Sequence, residues 1–469
     1  MTATSIWPVN FNLTVETLVF LLEPPNLEEL SCYQTEDQDR AYSTIWIYRH
    51  SRHDRHRDGQ HTSTNLIVKV TSIKMRFALI ACLLAATAME AAARPRGPTP
   101  EAIMEALAKR QDTAANGEQI DTEEPDTGLE DPNEDNNRMI GDLKQGATTP
   151  VGQSIQNILL RTESAEGSNS RYTPPGLLGS AKCKADTCCV WSYISIAMTL
   201  KFTGPTLRCN DLARAAIRLG FHDAGTWSSS LAANGQDYGG ADGSIVLSGT
   251  EVNRAENNGL QAIIKQMAAW QKQFGVGMAD LIQYGANHAV VTCPLGPRIR
   301  SFVGRKDSNV AAPDNLLPDA RASADSLISL FEDKTISGHE LAALLGAHST
   351  SKQFFFDKTR AGAPQDSTPG VWDVRYYNQT LETAGVPKKV LRIPSDIVLA
   401  QHPSMANEWA KFRLPNNVGQ KHWNEDYATA YTRLSLLGVN NINNLTECTK
   451  TLPRPRPDFL GALTAFLDG

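Results

Sequence analysis

At 469 residues the chain exceeds one average domain, and 41% apolar residues are enough to build a sizeable core. Charged residues make up an ordinary 20%, and the net charge of -6 argues against nucleic acid, which needs a concentrated basic face.

The first chemistry-bearing run is Arg49-His50-Ser51-Arg52-His53-Asp54-Arg55-His56-Arg57, which could hold a metal or a polyanion. Met75 then opens a basic residue, an apolar run from Phe77 to Leu84, and small residues at Ala88 and Ala91-Ala92-Ala93. That order is the order of a secretory signal peptide, and the run falls short of the about 20 residues that cross a bilayer. A buried core helix is the bland alternative; the order of the three parts favours cleavage. On this reading 75–93 is a signal peptide and 1–74 a non-native upstream extension, so the His-rich run loses its meaning. Lys109-Arg110 is a dibasic site that would make 94–110 a propeptide. Residues 111–180, acidic at first and then rich in Pro, Gly and Ser, read as a disordered linker. The folded domain is expected over 181–460.

Beyond Cys32 and Cys82, six cysteines remain: Cys183, Cys188, Cys189, Cys209, Cys293 and Cys448. An even number in an exported chain reads as three disulfides, with 15 connectivities open for six cysteines. The absence of a CxxC pair leaves zinc a weak reading. Asn378-Gln379-Thr380 and Asn444-Leu445-Thr446 have the form of glycosylation acceptors.

Within the expected domain the apolar pattern is helical. Leu212, Ala216, Leu219 and Gly220 fall on one side of a segment ending near Asp223. A second helix opens with Ser337 and Glu340, a capping box, and places Leu341, Leu344, Leu345 and His348 on one face. Strand-type alternation is scarce, so the fold is expected to be mostly α.

Arg218 and His222, four residues apart, project from one helix face. A neutral histidine beside a fixed cation, with Phe221 against it, suits acid–base chemistry, although a lone buried histidine is more often structural. Asp223 and the later run Gly239-Gly240-Ala241-Asp242-Gly243-Ser244 supply the oxygen atoms and flexible backbone that a hard cation such as calcium requires. Ser349 after His348, with Asp366-Ser367-Thr368-Pro369-Gly370-Val371-Trp372-Asp373, repeats the arrangement. Either cluster alone is usually a turn.

Arg218-Leu219-Gly220-Phe221-His222-Asp223-Ala224 resembles the distal motif of plant, fungal and bacterial haem peroxidases. With Phe221 before the histidine, and with Gly240-Ala241-Asp242-Gly243-Ser244, Leu344-Leu345-Gly346-Ala347-His348-Ser349 and Asp366-Ser367-Thr368-Pro369-Gly370, the chain resembles the secreted fungal class II, ligninolytic-type members. The resemblance spans about 183 to 455. It implies distal and proximal helical halves around one haem b, with His348 as axial iron ligand, Asp396 accepting the other ring N–H, and Phe221 against the cofactor. His222 becomes the acid–base residue, Arg218 its electrostatic partner, and Asn257 the acceptor of the Nδ1 proton, buttressed by Glu251. Two Ca²⁺ are implied: one at Asp223, Gly240, Asp242 and Ser244, the other at Ser349, Asp366, Thr368, Val371 and Asp373. The implied disulfides are Cys183–Cys189, Cys188–Cys448 and Cys209–Cys293.

Three departures narrow the substrate. Where relatives that oxidise Mn²⁺ place carboxylates, this chain has Asn210, Arg214 and Ser351, and hard Mn²⁺ needs oxygen anions. The position of the surface tryptophan, five residues before the proximal histidine, is Ala343. Other exposed aromatics, such as Trp270 or Tyr284, could relay electrons, but most such residues simply pack or sit in the surface. Gln365 replaces the usual proximal-pocket phenylalanine, unless Phe354, Phe355 or Phe356 fills that space. The leading reading is therefore a secreted, monomeric, extracellular peroxidase that reduces hydrogen peroxide and oxidises small phenolic or aromatic donors at the haem edge, with no membrane span and no nucleic acid. The alternative is a catalytically weak haem-binding or surface-interaction protein; a metal hydrolase is more distant, for want of an HExxH-like cluster.

Overall fold

The computed structural model describes residues 28–36, 42–51, 66–71, 138–382 and 384–456. In the upstream unit, strands Glu28–Glu36, Tyr42–Ser51 and Leu66–Thr71 form an antiparallel sheet in that order. The proposed signal peptide and propeptide lie outside the described residues.

The second unit is mainly helical. Its β structure, among the described residues, is two-residue pairings: Phe302–Val303 with Thr446–Glu447, and Lys352–Gln353 with Ala363–Pro364. The body starts earlier than expected. Helix α1, Pro150–Leu159, lies in the supposed linker and buries Ile155, Ile158 and Leu159 in the core. Thr149 caps it by accepting from the Gly152 amide at 3.1 Å, and Pro150 fills the first turn, where no N–H is needed. Ile140 and Leu143 are buried just before it, and Asp142 accepts from the Ile442 and Asn443 amides. The polar composition hid a few well-spaced apolar anchors, so at least 138–180 belongs to the body.

The next long helices are α2, Cys189–Phe202; α3, Asp211–Ala224; α4, Gln261–Phe274; and α5, Met278–Thr292. Helix α5 is buried along its whole length, with α3 packed directly against it. Gly220 permits that approach: a Cβ there would stand 2.6 Å from the Ala286 Cβ and overlap the Tyr431 hydroxyl. Gly275, at φ 69°, ends α4 in the left-handed conformation that glycine adopts without strain.

The second half carries α6, Ala324–Glu332; α7, Gly338–Leu345; α8, Arg375–Leu381; α9, Pro394–Ala400; α10, Pro403–Phe412; and α11, Val418–Leu434. Helix α7 packs against α10 and α11. Its capping box forms, and Glu340 also accepts from buried Arg433 Nε at 2.8 Å, a charge-assisted bond that ties α7 to α11. Three disulfides join Cys183 to Cys189, Cys188 to Cys448 and Cys209 to Cys293. The second links the start of α2 to the chain's far end, across 260 residues.

Two aromatics differ from expectation. Trp270 is 3% exposed and packs edge-on against Phe202; Tyr284 is 2% exposed, its hydroxyl 2.7 Å from Thr451 Oγ1. Each lies on the inner face of its helix, so neither is a surface relay.

Candidate active site

Helix α3 presents Arg218 and His222 one turn apart. Asn210 caps the helix, its side chain accepting from the Leu212 and Ala213 amides at 3.0 and 3.1 Å. The His222 ring is held on both sides. Its Nδ1 is 2.8 Å from Asn257 Oδ1, and its Nε2 accepts from Arg218 Nε at 3.1 Å. An amide oxygen only accepts, so the proton resides on Nδ1 and the lone pair on Nε2. Asn257 is fixed in turn, its Nδ2 donating to the Glu251 carbonyl at 2.8 Å. Glu251 thus supports the relay through its main chain, while its carboxylate accepts from the Ala312 amide at 3.0 Å.

Arg218 also donates to the Asn258 and Glu256 carbonyls at 2.8 and 2.6 Å. Main-chain acceptors carry no side-chain signature, so these anchors were invisible in sequence. Arg218 is exposed as a residue, yet lost hydration at its guanidinium pushes it down to about 10. Burial, then the Arg218 charge, pushes His222 down to about 3 against the opposing Asn257 bond. The ring is therefore neutral at ordinary pH, with its base directed toward Arg218.

His348 follows α7 on a 3-10 turn, Gly346–Thr350. Gly346 is required there, since a Cβ would overlap Trp423 and the Tyr377 hydroxyl. Of the expected face, Leu341 is buried, Leu344 and Leu345 are partly buried against the core, and the His348 side chain keeps 35% of its surface accessible. His348 Nδ1 is 3.0 Å from Asp396 Oδ2, which is held in the first turn of α9. Burial alone would lower the His348 pKa, but the Asp396 charge and hydrogen bond raise it, while Arg218 opposes them. Arg218 and His348 are thus near enough to act on one another.

Phe221 is half-buried, stacked on Phe331 at 6.0 Å and edge-on to His222 at 5.6 Å. Gln365 is 5% exposed and hydrogen-bonds Ser351, whose hydroxyl also reaches the His348 carbonyl at 2.7 Å. The polar side chain therefore has its partner within the proximal turn. Phe354 and Phe355 are exposed by 47% and 52%, and Phe356 lies under Arg321 at 4.3 Å, so Gln365 itself occupies the buried position. Asn210 serves as a cap, and Arg214 donates to the Cys209 carbonyl at 2.9 Å and pairs with Asp211. Asn210, Arg214 and Ser351 offer no carboxylate.

Residues 202–414 match the peroxidase family. A peroxidase of Arthromyces ramosus is 31% identical over 304 residues, covering 60% of this chain and 81% of that protein. The chain belongs to the peroxidase family. Ligninase H2 of Phanerodontia chrysosporium is 30% identical over 327 residues, 66% of this chain and 85% of that protein. Manganese peroxidase 3 of Phlebia radiata is 31% identical over 264 residues, 53% and 72% respectively. This peroxidase is a haem-dependent enzyme with the mainly α fold of its relatives. Among its described residues no helix is long and apolar enough to cross a membrane.

Proposed function

We propose that this peroxidase is a secreted, monomeric enzyme that reduces hydrogen peroxide and oxidises small phenols or aromatic dyes in one-electron steps at the edge of a haem b. The observation that carries the reading is the Asn257–His222–Arg218 relay, at 2.8 and 3.1 Å, with Arg218 close enough for its charge to act on His348. His222 Nε2 takes the proton that peroxide must lose and returns it to the departing oxygen; Asn257 keeps the other ring proton in place. Arg218 stabilises charge growing on that oxygen, as an oxyanion hole does. His348 would hold the haem iron through Nε2, with Asp396 polarising the ring from behind and Phe221 against the macrocycle. Haem, when bound, would store the two oxidising equivalents that peroxide delivers and pass them on to two donors, one electron each.

Two Ca²⁺ complete the reading, and the donor sets fit them. Asp223, Asp242 and Glu251 lie close enough for their charges to act on one another, and burial, then Asp242, drives the Asp223 carboxyl well above its ordinary range. Asp223 Oδ1 and Ser244 Oγ are buried without hydrogen-bond partners, and Gly240, at φ 96°, turns the chain past them. On the proximal side burial, then Asp373, does the same to Asp366, whose Oδ2 is also unpartnered. Thr368 bonds both aspartates, and Ser349 bonds the Val371 carbonyl. Buried oxygen anions left unpaired are costly, and a hard divalent cation offsets that cost. For secretion, the support is the three disulfides and exposed Asn444 in its acceptor sequence.

The test is steady-state oxidation of Mn²⁺, a high-potential aromatic and a simple phenol side by side. Activity is expected on the phenol alone, with a Soret band retained and turnover lowered by orders of magnitude in His222→Ala. Robust Mn²⁺ turnover would overturn the reading of Asn210, Arg214 and Ser351.

A further inference from the structure

Away from the haem and calcium residues, α7, α10 and α11 close around a small network of charge. Glu408 and Asp426 are only 5% and 6% exposed, and buried carboxylates need partners. His339, on α7, stands between them: its Nδ1 is 3.3 Å from Glu408 Oε2, and its Nε2 is 3.3 Å from Asp426 Oδ2. His422, on α11, turns its Nε2 toward the same pair, to Glu408 Oε1 and, at 3.3 Å, to Asp426 Oδ2. Lys411 is 3.1 Å from Glu408 Oε2, and Arg161, just after α1, takes Asp426 Oδ1 at 2.8 Å. Tyr377 of α8 also lies within reach of both carboxylates. Its hydroxyl donates to the Ala342 carbonyl, and burial, then the charges of Asp426 and Glu408, keeps it neutral.

An ionised carboxylate only accepts hydrogen bonds, whereas a neutral imidazole carries a proton on one nitrogen and a lone pair on the other. A neutral His339 would therefore turn a lone pair toward one of two buried carboxylates. The doubly protonated ring meets both with an N–H. His422 differs, because a single Nε2 proton serves both of its contacts. We propose that His339 is a cation in the folded protein and clamps α7 to α10 and α11, so that the helix leading to His348 is held most firmly in acid and less firmly as rising pH discharges the ring. The charges around it agree. Burial alone would raise the Asp426 carboxyl, yet the His339 bond and charge, with Arg161 and His422, hold it well below its ordinary range. The Glu408 bond likewise raises the His422 ring against burial, with Asp426 assisting and Lys411 opposing. Arg161 and Lys411 keep 38% and 33% of their side chains accessible, so water screens them more than the His339 ring at 14%. A ring that folding favours as the cation stabilises the fold fully below its unfolded value of about 6.5, and that contribution is lost as pH rises through the higher folded value. The rival is a neutral His339 that packs between the helices with no pH-dependent role.

Two measurements on the full chain, haem-loaded and in excess calcium, separate them. Exchange of histidine C2 hydrogens, followed by mass spectrometry, titrates each ring in the unaltered protein. His339 is expected to titrate above the ordinary value of about 6.5, and a midpoint at or below it overturns the proposal. Melting of the parent against His339→Gln, from pH 5 to pH 8, reads the clamp itself. The variant is expected to melt lower, with the widest gap at pH 5 and a narrower one at pH 8. A gap that stays constant with pH assigns His339 a packing role alone and overturns the clamp. Should His339→Gln fail to fold, ring exchange in the parent decides.

Discussion

Arg218 Nε donates to His222 Nε2 across 3.1 Å, so the cation and the base share one hydrogen bond before any peroxide arrives. The contact keeps the imidazole unprotonated at the atom that must accept a proton. Peroxide entering the cleft must displace that bond, and Arg218 is free to pivot only as far as its bonds to the Asn258 and Glu256 carbonyls allow.

Because burial and Arg218 hold His222 at about 3, its base form persists well into acid. The ring is depressed, so activity is present above its pKa and lost as pH falls through it. Stopped-flow rates of the peroxide step are expected to be flat between pH 5 and 8 and to fall toward pH 3. An inflection near pH 6.5 would show that the ring is not desolvated as described.

Removing the base should cost the peroxide step about 10²- to 10⁴-fold, the usual contribution of a positioned acid–base group. His222→Ala measures this directly. Asn257→Ala is expected to lower the same rate less, since Nε2 survives while the tautomer is no longer held. Equal, negligible effects in both would remove His222 from the chemistry.

Asp396 raises the proton affinity of His348 against burial. Asp396→Asn weakens the imidazole as an electron donor, so the ferric/ferrous potential should move to more positive values. Spectroelectrochemical titration of variant and parent gives the sign.

Calcium removal should lower Tm and change the direction of pH dependence. With calcium bound, acid protonates the ligands and destabilises the fold. Without it, Asp223 and Asp366 have raised pKa values, so their contribution is present at low pH and lost as pH rises through those values. The chelated protein should therefore melt higher at mildly acidic pH than at neutral pH, opposite to the calcium-loaded one. Calorimetry with and without chelator reads the crossover.

Gly220→Ala introduces a Cβ that overlaps the Tyr431 hydroxyl and crowds Ala286. Overpacking of this kind costs about 1–3 kcal/mol. Denaturant melts should show that loss together with slower peroxide reduction, because the same turn positions His222.

Local geometry was legible in the sequence: Arg218 and His222 share a helix face by spacing, and Ser337 and Glu340 form their capping box within one turn. The mostly helical fold followed from the same periodicity. What lay between distant segments was decided by tertiary structure. Polar composition concealed α1, whose three apolar anchors find their partners only in the assembled core. Trp270 and Tyr284 face inward because of how α4 and α5 pack, which no single-residue property reports. Arg218 is anchored by carbonyls, which every residue has, and Gln365 is satisfied by Ser351, 14 positions away. His339, Glu408, His422 and Asp426 meet as ion pairs from three helices between residues 339 and 426, so no spacing motif announces them. Periodicity along the chain was enough for the helical class, and spacing was enough to set Arg218 and His222 one turn apart, because both depend on neighbours within a turn. Tertiary structure alone decided which side chains meet across helices, because burial and hydrogen bonding there depend on chain packing rather than on separation along the chain.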